Sequence, residues 1–285
     1  MTSRLITLAL GILLLVSAMP ASAQLTAAKE GPVVYGHHHL NVTSVAEHKK
    51  FFVDALGGVL VTIGTREIVK FPNVFVFLRE QAPKGGSVGT TADHLGLSFP
   101  SLPPVIARLK AAGYRMVTRE SAPADWPVND DITRNPSGTG RSIAFVMGPD
   151  EAKVELLELK EQKAPVALQH VHFFIQQTEE MQAWYIKVFG AKAGAPGGRF
   201  LSAALPGVTL NFQASPSAVV GTQGRVVDHV GFEIDNLHEF LKKLDAMGIK
   251  AANVRKVPDL GISIAFITDP WGTYIELTEG LDKIQ

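Results

Sequence analysis

The stretch Asp228–Gly248, "DHVGFEIDNLHEFLKKLDAMG", contains the pattern that decides the fold of this chain. An apolar run opens with Asp-His, and a run of helical periodicity follows it and closes on a glycine. The same pattern occurs earlier as "DHLGLSFPSLPPVIARLKAAG", Asp93–Gly113. In both copies the closing glycine lies 19 positions after the histidine. The pattern predicts a strand followed by a helix, used repeatedly along the chain.

Two further pairs of segments show that the repetition covers the whole chain. "HHHLNVTSVAEHKKFFVDALGG" starts at His37 and "HVHFFIQQTEEMQAWYIKVFGA" at His170, and in both a glycine lies 20 positions after the first histidine. "SIAFVMGPDEAKVELLE" from Ser142 and "SIAFITDPWGTYIELTE" from Ser263 are identical at eight of 17 positions. The two halves therefore indicate an internal duplication.

Each half divides again into two modules. A strand carrying histidine is followed by a helix and by short β-rich runs, such as "VLVTIG", "EIVKF" and "NVFVFLRE" in the first module. This order predicts an α+β protein with four βαβββ modules. Pairing the modules in chain order predicts two domains, 31–160 and 166–280.

The first residues have the pattern of a bacterial secretory signal peptide. Arg4 precedes the apolar run Leu5–Met19, and the small-x-small sequence Ala21-Ser22-Ala23 follows it. Cleavage after Ala23 would remove residues 1–23, leave 262 residues and place the protein in the periplasm or outside the cell. The alternative is an uncleaved membrane anchor. If the signal peptide is cleaved, no membrane partner is expected.

Composition limits the partners and the metal chemistry. Beyond the signal peptide, 26 basic residues stand against 27 acidic ones, a balance that does not indicate nucleic acid or an anionic membrane surface as a partner. The chain contains no cysteine, so a metal site must be built from His, Asp, Glu and backbone oxygen. Such ligands suit Fe, Mn, Ni, Co or Zn as a divalent ion.

The four modules, the histidine on the first strand of each, and the ending "DPWGTYIEL", Asp269–Leu277, resemble the vicinal-oxygen-chelate superfamily. That superfamily includes glyoxalase I, bleomycin-resistance proteins, fosfomycin-modifying enzymes and extradiol dioxygenases. The resemblance extends over essentially all of the chain beyond the signal peptide. It implies that paired modules form open, cup-shaped barrel sheets with helices outside, and that a metal ion lies in the cup. It also implies a small-molecule substrate and leaves a homodimer open.

The resemblance further implies two metal-ligand sets, each with two histidines and one carboxylate. Carried over position by position, the sets are His37, His94 and Glu155 in the first half and His170, His229 and Glu276 in the second. Such a set leaves coordination positions open for substrate oxygens or water. The alternative for each residue is a hydrogen-bonded core histidine or a solvated carboxylate at a strand end.

Alternation along a strand separates the neighbouring histidines. His39 shares a face with His37, and His172 shares a face with His170, so we predict that both are partners of the ligands or proton-transfer groups. Packed core imidazoles are the alternative. His38 faces the other way and is matched by an apolar residue in the duplicate.

The second module contains an insertion, 115–141, between its helix and its last strands. From Gly113 to Ser142 the chain advances 29 residues, whereas the matching advance from Gly248 to Ser263 is 15. An irregular segment of this length beside a cup is either a lid that excludes water or a surface loop.

Two members of the superfamily are disfavoured by the residues present. Phe266 occupies the position where extradiol dioxygenases have a tyrosine, and no histidine lies between His238 and Glu276. Glyoxalase I has a carboxylate ligand on the last strand of its first module, where this chain offers Val76 or Phe77, and Leu210 or Asn211 in the duplicate.

The sequence therefore predicts an exported, divalent-metal-dependent isomerase, lyase or dioxygenase. Its expected substrate is a small molecule that chelates the ion through two oxygens. An alternative from another class is a metal-free module of the bleomycin-resistance type that sequesters a small molecule. A purely structural exported protein is a third hypothesis, but it does not account for the paired histidines.

Overall fold

The computed structural model describes residues 30–63, 66–138, 140–195 and 199–283. The predicted signal peptide, 1–23, lies outside the described residues. Within those ranges, no helix has both the length and the apolar character needed to cross a membrane.

The chain consists mainly of strands, with helices between them. The strands are β1 Val33–Val42, β2 Val59–Ile63, β3 Arg66–Phe71, β4 Val74–Glu80, β5 Ala92–Phe99, β6 Arg115–Met116, β7 Val128–Asn129, β8 Ile132–Thr133, β9 Ile143–Met147, β10 Lys153–Glu158, β11 Ala167–Ile175, β12 Lys192–Ala193, β13 Leu201–Leu205, β14 Val208–Ala214, β15 Val227–Ile234, β16 Ala252–Val257, β17 Ile262–Thr268 and β18 Tyr274–Glu279. The helices are α1 Val45–Lys49, which continues as the π-helical turn Lys50–Ala55, α2 Pro103–Ala111, α3 Thr118–Ser121, α4 Thr178–Phe189 and α5 Leu237–Ala246.

The four βαβββ modules are confirmed. Modules 1 to 4 begin with β1, β5, β11 and β15, and in each a helix follows the first strand. The glycine predicted to close each helix has a positive φ, between 73° and 85°, which other residues adopt only at a cost. These glycines are Gly57, Gly113, Gly190 and Gly248. The insertion in module 2 forms α3, β7 and β8.

The modules do not pair in chain order. Sheet 1 has the strand order β16-β17-β18-β15-β1-β4-β3-β2, and sheet 2 contains the order β12-β13-β14-β11-β5-β10-β9-β8-β7. Modules 1 and 4 thus share sheet 1, and modules 2 and 3 share sheet 2. The prediction that each half builds its own sheet is wrong, because strands of both predicted domains, 31–160 and 166–280, contribute to each sheet. Both sheets are open rather than closed into barrels.

Polar contacts between modules connect the two sheets. The Asp150 carboxylate, in the turn after β9 of module 2, accepts hydrogen bonds from the backbone N–H and the hydroxyl of Thr43 at 2.8 and 2.7 Å. The same carboxylate lies 3.0 Å from Nε2 of His48 on the helix of module 1. In modules 3 and 4, the Tyr185 hydroxyl donates to Asp269 at 3.1 Å. These contacts tie together modules that belong to different sheets.

One continuous apolar core joins the two sheets and the helices. It contains buried side chains of β1 and β15 from sheet 1, of β5 and β11 from sheet 2, and of the helices. Phe189 of α4 stacks on Phe232 of β15 with ring centroids 4.3 Å apart, so the helix of module 3 packs on sheet 1. A second apolar cluster, which includes Phe75, Ile264 and Phe266, lies on the other face of sheet 1. The rings of His37, His39 and His229 contact phenylalanine rings on the same face.

Glu233 predicts a pH dependence of stability. Its buried carboxylate accepts hydrogen bonds from the Thr278 hydroxyl and the Gly280 N–H, and burial raises its pKa to about 7. Between pH 5 and 7, the folded chain therefore keeps a proton that the unfolded chain has lost, so this group's contribution to the free energy of unfolding falls as pH rises. We expect Glu233→Gln to gain about 1–3 kcal/mol relative to wild type between pH 5 and pH 8, measured by urea denaturation.

The control for this prediction is Glu80→Gln, which removes an exposed carboxylate on the same sheet. Its difference from wild type should be the same at both pH values. A pH-independent difference for Glu233→Gln would contradict the prediction.

Candidate functional site

Two buried clusters of histidine and glutamate lie on the two sheets. Site 1 contains His37, His229 and Glu276 on sheet 1. Site 2 contains His94, Glu155, His170 and His172 on sheet 2. Within each site the potential ligand atoms lie within 4.8 Å of one another. All six predicted ligands are thus brought into clusters, and His172 joins one of them.

The predicted grouping of these ligands is corrected by the sheets. His37 lies with the ligands of module 4 rather than with His94 and Glu155, and His170 lies with the ligands of module 2. The reason is the strand order, because β1 runs antiparallel beside β15 and β11 runs antiparallel beside β5. The same register puts His39 opposite His229 and His172 opposite His94.

In site 1 a single carboxylate oxygen lies between two imidazoles. Oε2 of Glu276 is 2.7 Å from Nε2 of His229 and 3.1 Å from Nε2 of His37. β15 and β18 are parallel neighbours, which brings Glu276 beside the strand that carries His229. Side chains from three strands and two modules therefore meet at one point.

Site 2 repeats this geometry with an additional histidine. Oε2 of Glu155 lies 3.0 Å from Nε2 of His94, 3.1 Å from Nε2 of His170 and 3.9 Å from Nδ1 of His172. The buried Nε2 of His170 and both ring nitrogens of His172 have no hydrogen-bond partner among the described residues. Buried, unpartnered imidazole nitrogens around an ionised carboxylate form a donor set that fits a divalent ion.

A glycine in each Asp-His-x-Gly strand makes room for the ring of the facing histidine. A Cβ added to Gly96 would lie 2.7 Å from Nε2 of His170 and closer still to two other ring atoms. A Cβ added to Gly231 would lie 2.5 Å from Nε2 of His37 and would overlap the same two ring atoms. Each site therefore needs one His-x-His strand and one Asp-His-x-Gly strand.

The aspartate of the Asp-His pair orients the ligand histidine. Asp93 accepts a hydrogen bond from Nδ1 of His94 at 2.7 Å, and Asp228 accepts one from Nδ1 of His229 at 2.7 Å. A carboxylate on Nδ1 directs the Nε2 lone pair of a neutral imidazole toward the site. These aspartates were not predicted as functional residues, although the repeated Asp-His dipeptide contains the signal.

The electrostatics of both sites favour the ionised carboxylate. Burial alone would raise the pKa of Glu276, yet its hydrogen bonds with His229 and His37 hold that pKa well below its ordinary value. Burial acts on Glu155 in the same sense and is outweighed by the neighbouring histidines, so its pKa is also lowered. Conversely, burial would lower the pKa of His229, and its carboxylate partners raise it instead.

His39 and His172 occupy matching positions but have different surroundings. His172 lies within ligand distance of site 2, whereas His39 lies outside the group at site 1. The His39 ring is 4.4 Å from that of His229 and stacks on Phe77. Burial and two neighbouring histidines lower the pKa of His39 well below its ordinary value, so the ring is neutral. The two histidines therefore differ in their distance from the carboxylate of their site, and only His172 is near enough to share a metal ion with it.

The other histidines lie away from both sites. His38 faces the opposite side of β1, as alternation predicted, and is 2.5 Å from the Tyr35 hydroxyl. His48 is a packing residue, fully buried and bonded to Asp150. His238 is exposed, with 78% of its side-chain surface accessible.

Each site opens into a cavity, and the two cavities have different walls. Cavity 1, about 880 Å³, is lined by His37, His39, Phe77 and Tyr274 and by several cationic side chains. Cavity 2, about 920 Å³, is lined by His94, Glu155 and His172 and by four aromatic side chains, Trp126, Phe145, Phe174 and Phe200. Both volumes are in the range of small-molecule sites.

The insertion of module 2 forms one wall of cavity 2. Trp126 and Arg141 belong to this segment and line the cavity. The guanidinium of Arg199, from module 3, lies 5.2 Å from the centre of the Trp126 ring. The insertion is therefore part of the site environment rather than a remote surface loop.

A buried lysine distinguishes site 2 further. Lys153 forms an ion pair with Asp93, the residue that orients His94. Its ammonium also lies over the rings of Phe145 and Phe174, at 5.9 and 5.7 Å from their centres. The sequence analysis did not identify this residue, which lies two positions before Glu155 on the same face of β10.

Comparison with known proteins supports the family resemblance independently of the fold. Residues 167–277 match the family described as "Glyoxalase/Bleomycin resistance protein/Dioxygenase superfamily". No curated protein matches the chain.

Solved structures match over most of the chain. Glyoxalase I from Zea mays is 17% identical, with a TM-score of 0.67, over 90% of this chain and 95% of that chain. A candidate dioxygenase from Bacillus subtilis is 13% identical, with a TM-score of 0.65, over 86% of this chain and 84% of that chain. At these identities the likeness shows the fold. The family match over residues 167–277 and the four βαβββ modules agree with the resemblance to the vicinal-oxygen-chelate superfamily.

Proposed function

We propose that this protein is an exported, divalent-metal-dependent enzyme that acts on a small substrate chelating the ion through two oxygens. The observation that carries the proposal is the convergence of imidazole nitrogens on one buried carboxylate oxygen in each sheet. Burying ionisable groups in this way is costly unless they are paired or bind a metal. Export rests on the predicted signal peptide.

The residues that would hold the ion are His37, His229 and Glu276 in site 1, and His94, His170 and Glu155 with His172 in site 2. When bound, a divalent ion at such a site supplies Lewis acidity toward a chelating oxygen or a site for dioxygen. The chain's own groups provide orientation, because Asp228 and Asp93 fix the tautomers of His229 and His94.

His39 is the proton acceptor in cavity 1. Its buried Nε2 has no hydrogen-bond partner among the described residues, its ring lines the cavity, and burial keeps the ring neutral by lowering its pKa. A neutral imidazole at this place can take a proton from the carbon next to a carbonyl, as in an isomerase or a lyase. In cavity 2 the aromatic side chains and the insertion form the wall that a bound substrate would contact.

The proposal is tested with metal-loaded protein in D₂O and an α-hydroxyketone such as dihydroxyacetone, followed by NMR. Isomerase or lyase chemistry predicts metal-dependent deuterium incorporation that His39→Asn abolishes while its metal content stays unchanged. Dioxygenase chemistry predicts oxygen uptake by the Fe(II) form with a vicinal diol. If neither reaction occurs and small-molecule binding persists after chelation, the metal-free binding module replaces the enzyme.

A further inference from the structure

We infer that cavity 1 takes a ligand that carries a phosphate or carboxylate anion in addition to the oxygens held at site 1. The inference deepens the proposed function, because it names the substrate class of that site. The chain as a whole has a formal net charge of zero. Five cationic residues nevertheless line this one cavity, namely Arg66, Arg79, Lys84, Arg255 and Lys256.

Few carboxylates in cavity 1 are free to neutralise these cations. Asp228 and Glu276 are engaged with His229 and His37. The remaining acidic residue of the lining is Asp259, which lies 3.7 Å from Arg66. Within the described ranges, the other four cations have no carboxylate within ion-pair distance. The cavity therefore keeps an uncompensated positive charge at its mouth.

Arg79 extends the face of β4 that lines the cavity. Phe77 is opposite His39 in the parallel pairing of β1 and β4, and Arg79 follows two positions later on the same face. Its guanidinium is thus carried by the strand next to the one that holds His37 and His39. The residue is exposed, as a group that meets an incoming ligand must be.

Arg255 lies on β16 of module 4. It pairs with Ile264 of β17, and its guanidinium lies 5.9 Å from the centre of the Phe266 ring. Phe266 in turn pairs with Glu276 and lies edge-on to His229. An anion held by Arg255 would lie one strand away from the ligands of site 1.

Lys84 completes the arrangement from the linker between modules 1 and 2. Its side chain packs against Gly224, whose N–H donates to Asp228 at 2.6 Å. Cations from β4, β16 and this linker therefore surround one opening. Arginine in such a position binds phosphate or carboxylate through paired N–H donors.

Cavity 2 differs in how its charges are compensated. Arg115 lies 3.5 Å from Glu120, and Lys153 is paired with Asp93. Arg199 stacks on Trp126, and four aromatic rings contribute to the walls. The two cavities should thus select different ligands, and an anionic probe should discriminate between them.

The experiment titrates the protein calorimetrically with 2-phosphoglycolate, malonate and glycolate. Beside one carboxylate, these carry a phosphate, a second carboxylate and a neutral hydroxyl, respectively. We expect 2-phosphoglycolate or malonate to bind at least tenfold tighter than glycolate, and the tighter of the two identifies phosphate or carboxylate as the preferred group. Arg79→Gln/Arg255→Gln should abolish the preference, whereas the control Arg115→Gln/Arg141→Gln in cavity 2 should retain it. Equal affinities for all three probes, or a preference that survives in Arg79→Gln/Arg255→Gln, would overturn the inference.

Two parallel measurements separate this result from the proposed function. Metal content is determined on the same samples, and inorganic phosphate is titrated into metal-free protein. Phosphate binding that depends on Arg79 and Arg255 in a protein unable to hold metal would support the anion site and contradict the proposal of a metal-dependent enzyme. Metal binding without any anion preference would contradict the anion site alone.

Discussion

Metal-loaded wild-type protein is expected to hold two divalent ions per chain, and Glu155→Ala/His170→Ala is expected to hold one. Glu155 and His170 belong to the same site, so the second substitution affects only a site that the first has already disabled. Glu155→Ala/His37→Ala should hold none, because it damages both sites. The measurement is the metal-to-protein ratio by mass spectrometry after gel filtration.

The reciprocal variants are the control. Glu276→Ala/His37→Ala should hold one ion and Glu276→Ala/His170→Ala none. Circular dichroism and thermal unfolding confirm that each variant is folded. Sites built in chain order would give the reverse outcome, with one ion in Glu155→Ala/His37→Ala and none in Glu155→Ala/His170→Ala. Equal ratios in all four variants would contradict both arrangements.

The sequence predicted the modules and the residues that cluster at both sites, but it could not predict which modules share a sheet. Repetition identified the positions, because a strand, a helix and a closing glycine recur around each histidine. Each site needs one His-x-His strand and one Asp-His-x-Gly strand. Pairing β1 with β5 would supply one of each, and so does the observed pairing of β1 with β15. Local complementarity therefore permits either arrangement.

The strand order settles the arrangement, and contacts between modules of different sheets accompany it. Asp150 binds Thr43 and His48 across more than 100 positions of sequence, and no local sequence pattern predicts such a contact.

The sequence also does not predict the different environments of His39 and His172, since both occupy the third position of a His-x-His strand. Alternation gives the face that a side chain lies on, but not the distance to a partner on another strand.

The second prediction concerns the glycines that face the ligand histidines. Gly96→Ala should remove the ion from site 2 and leave site 1 occupied, because the new methyl group would overlap the His170 ring. If the ring relieves the overlap by turning away from Glu155, the site loses a ligand. The metal-to-protein ratio should therefore fall from two to one, while the free energy of unfolding changes by no more than about 1–3 kcal/mol.

Gly231→Ala is the matched test in the other sheet. Its methyl group would overlap the His37 ring, so site 1 should lose its ion and site 2 should keep it. Neither glycine has a positive φ, so backbone strain does not account for an effect of alanine at these positions.

Combining a glycine variant with a ligand variant tests whether the methyl group acts through the facing histidine ring. Gly96→Ala/His170→Ala should match His170→Ala in metal content, because the methyl group then meets no ring, whereas Gly96→Ala/His37→Ala should lose both ions. Retention of two ions in Gly96→Ala would show that the His170 ring does not lie across this strand.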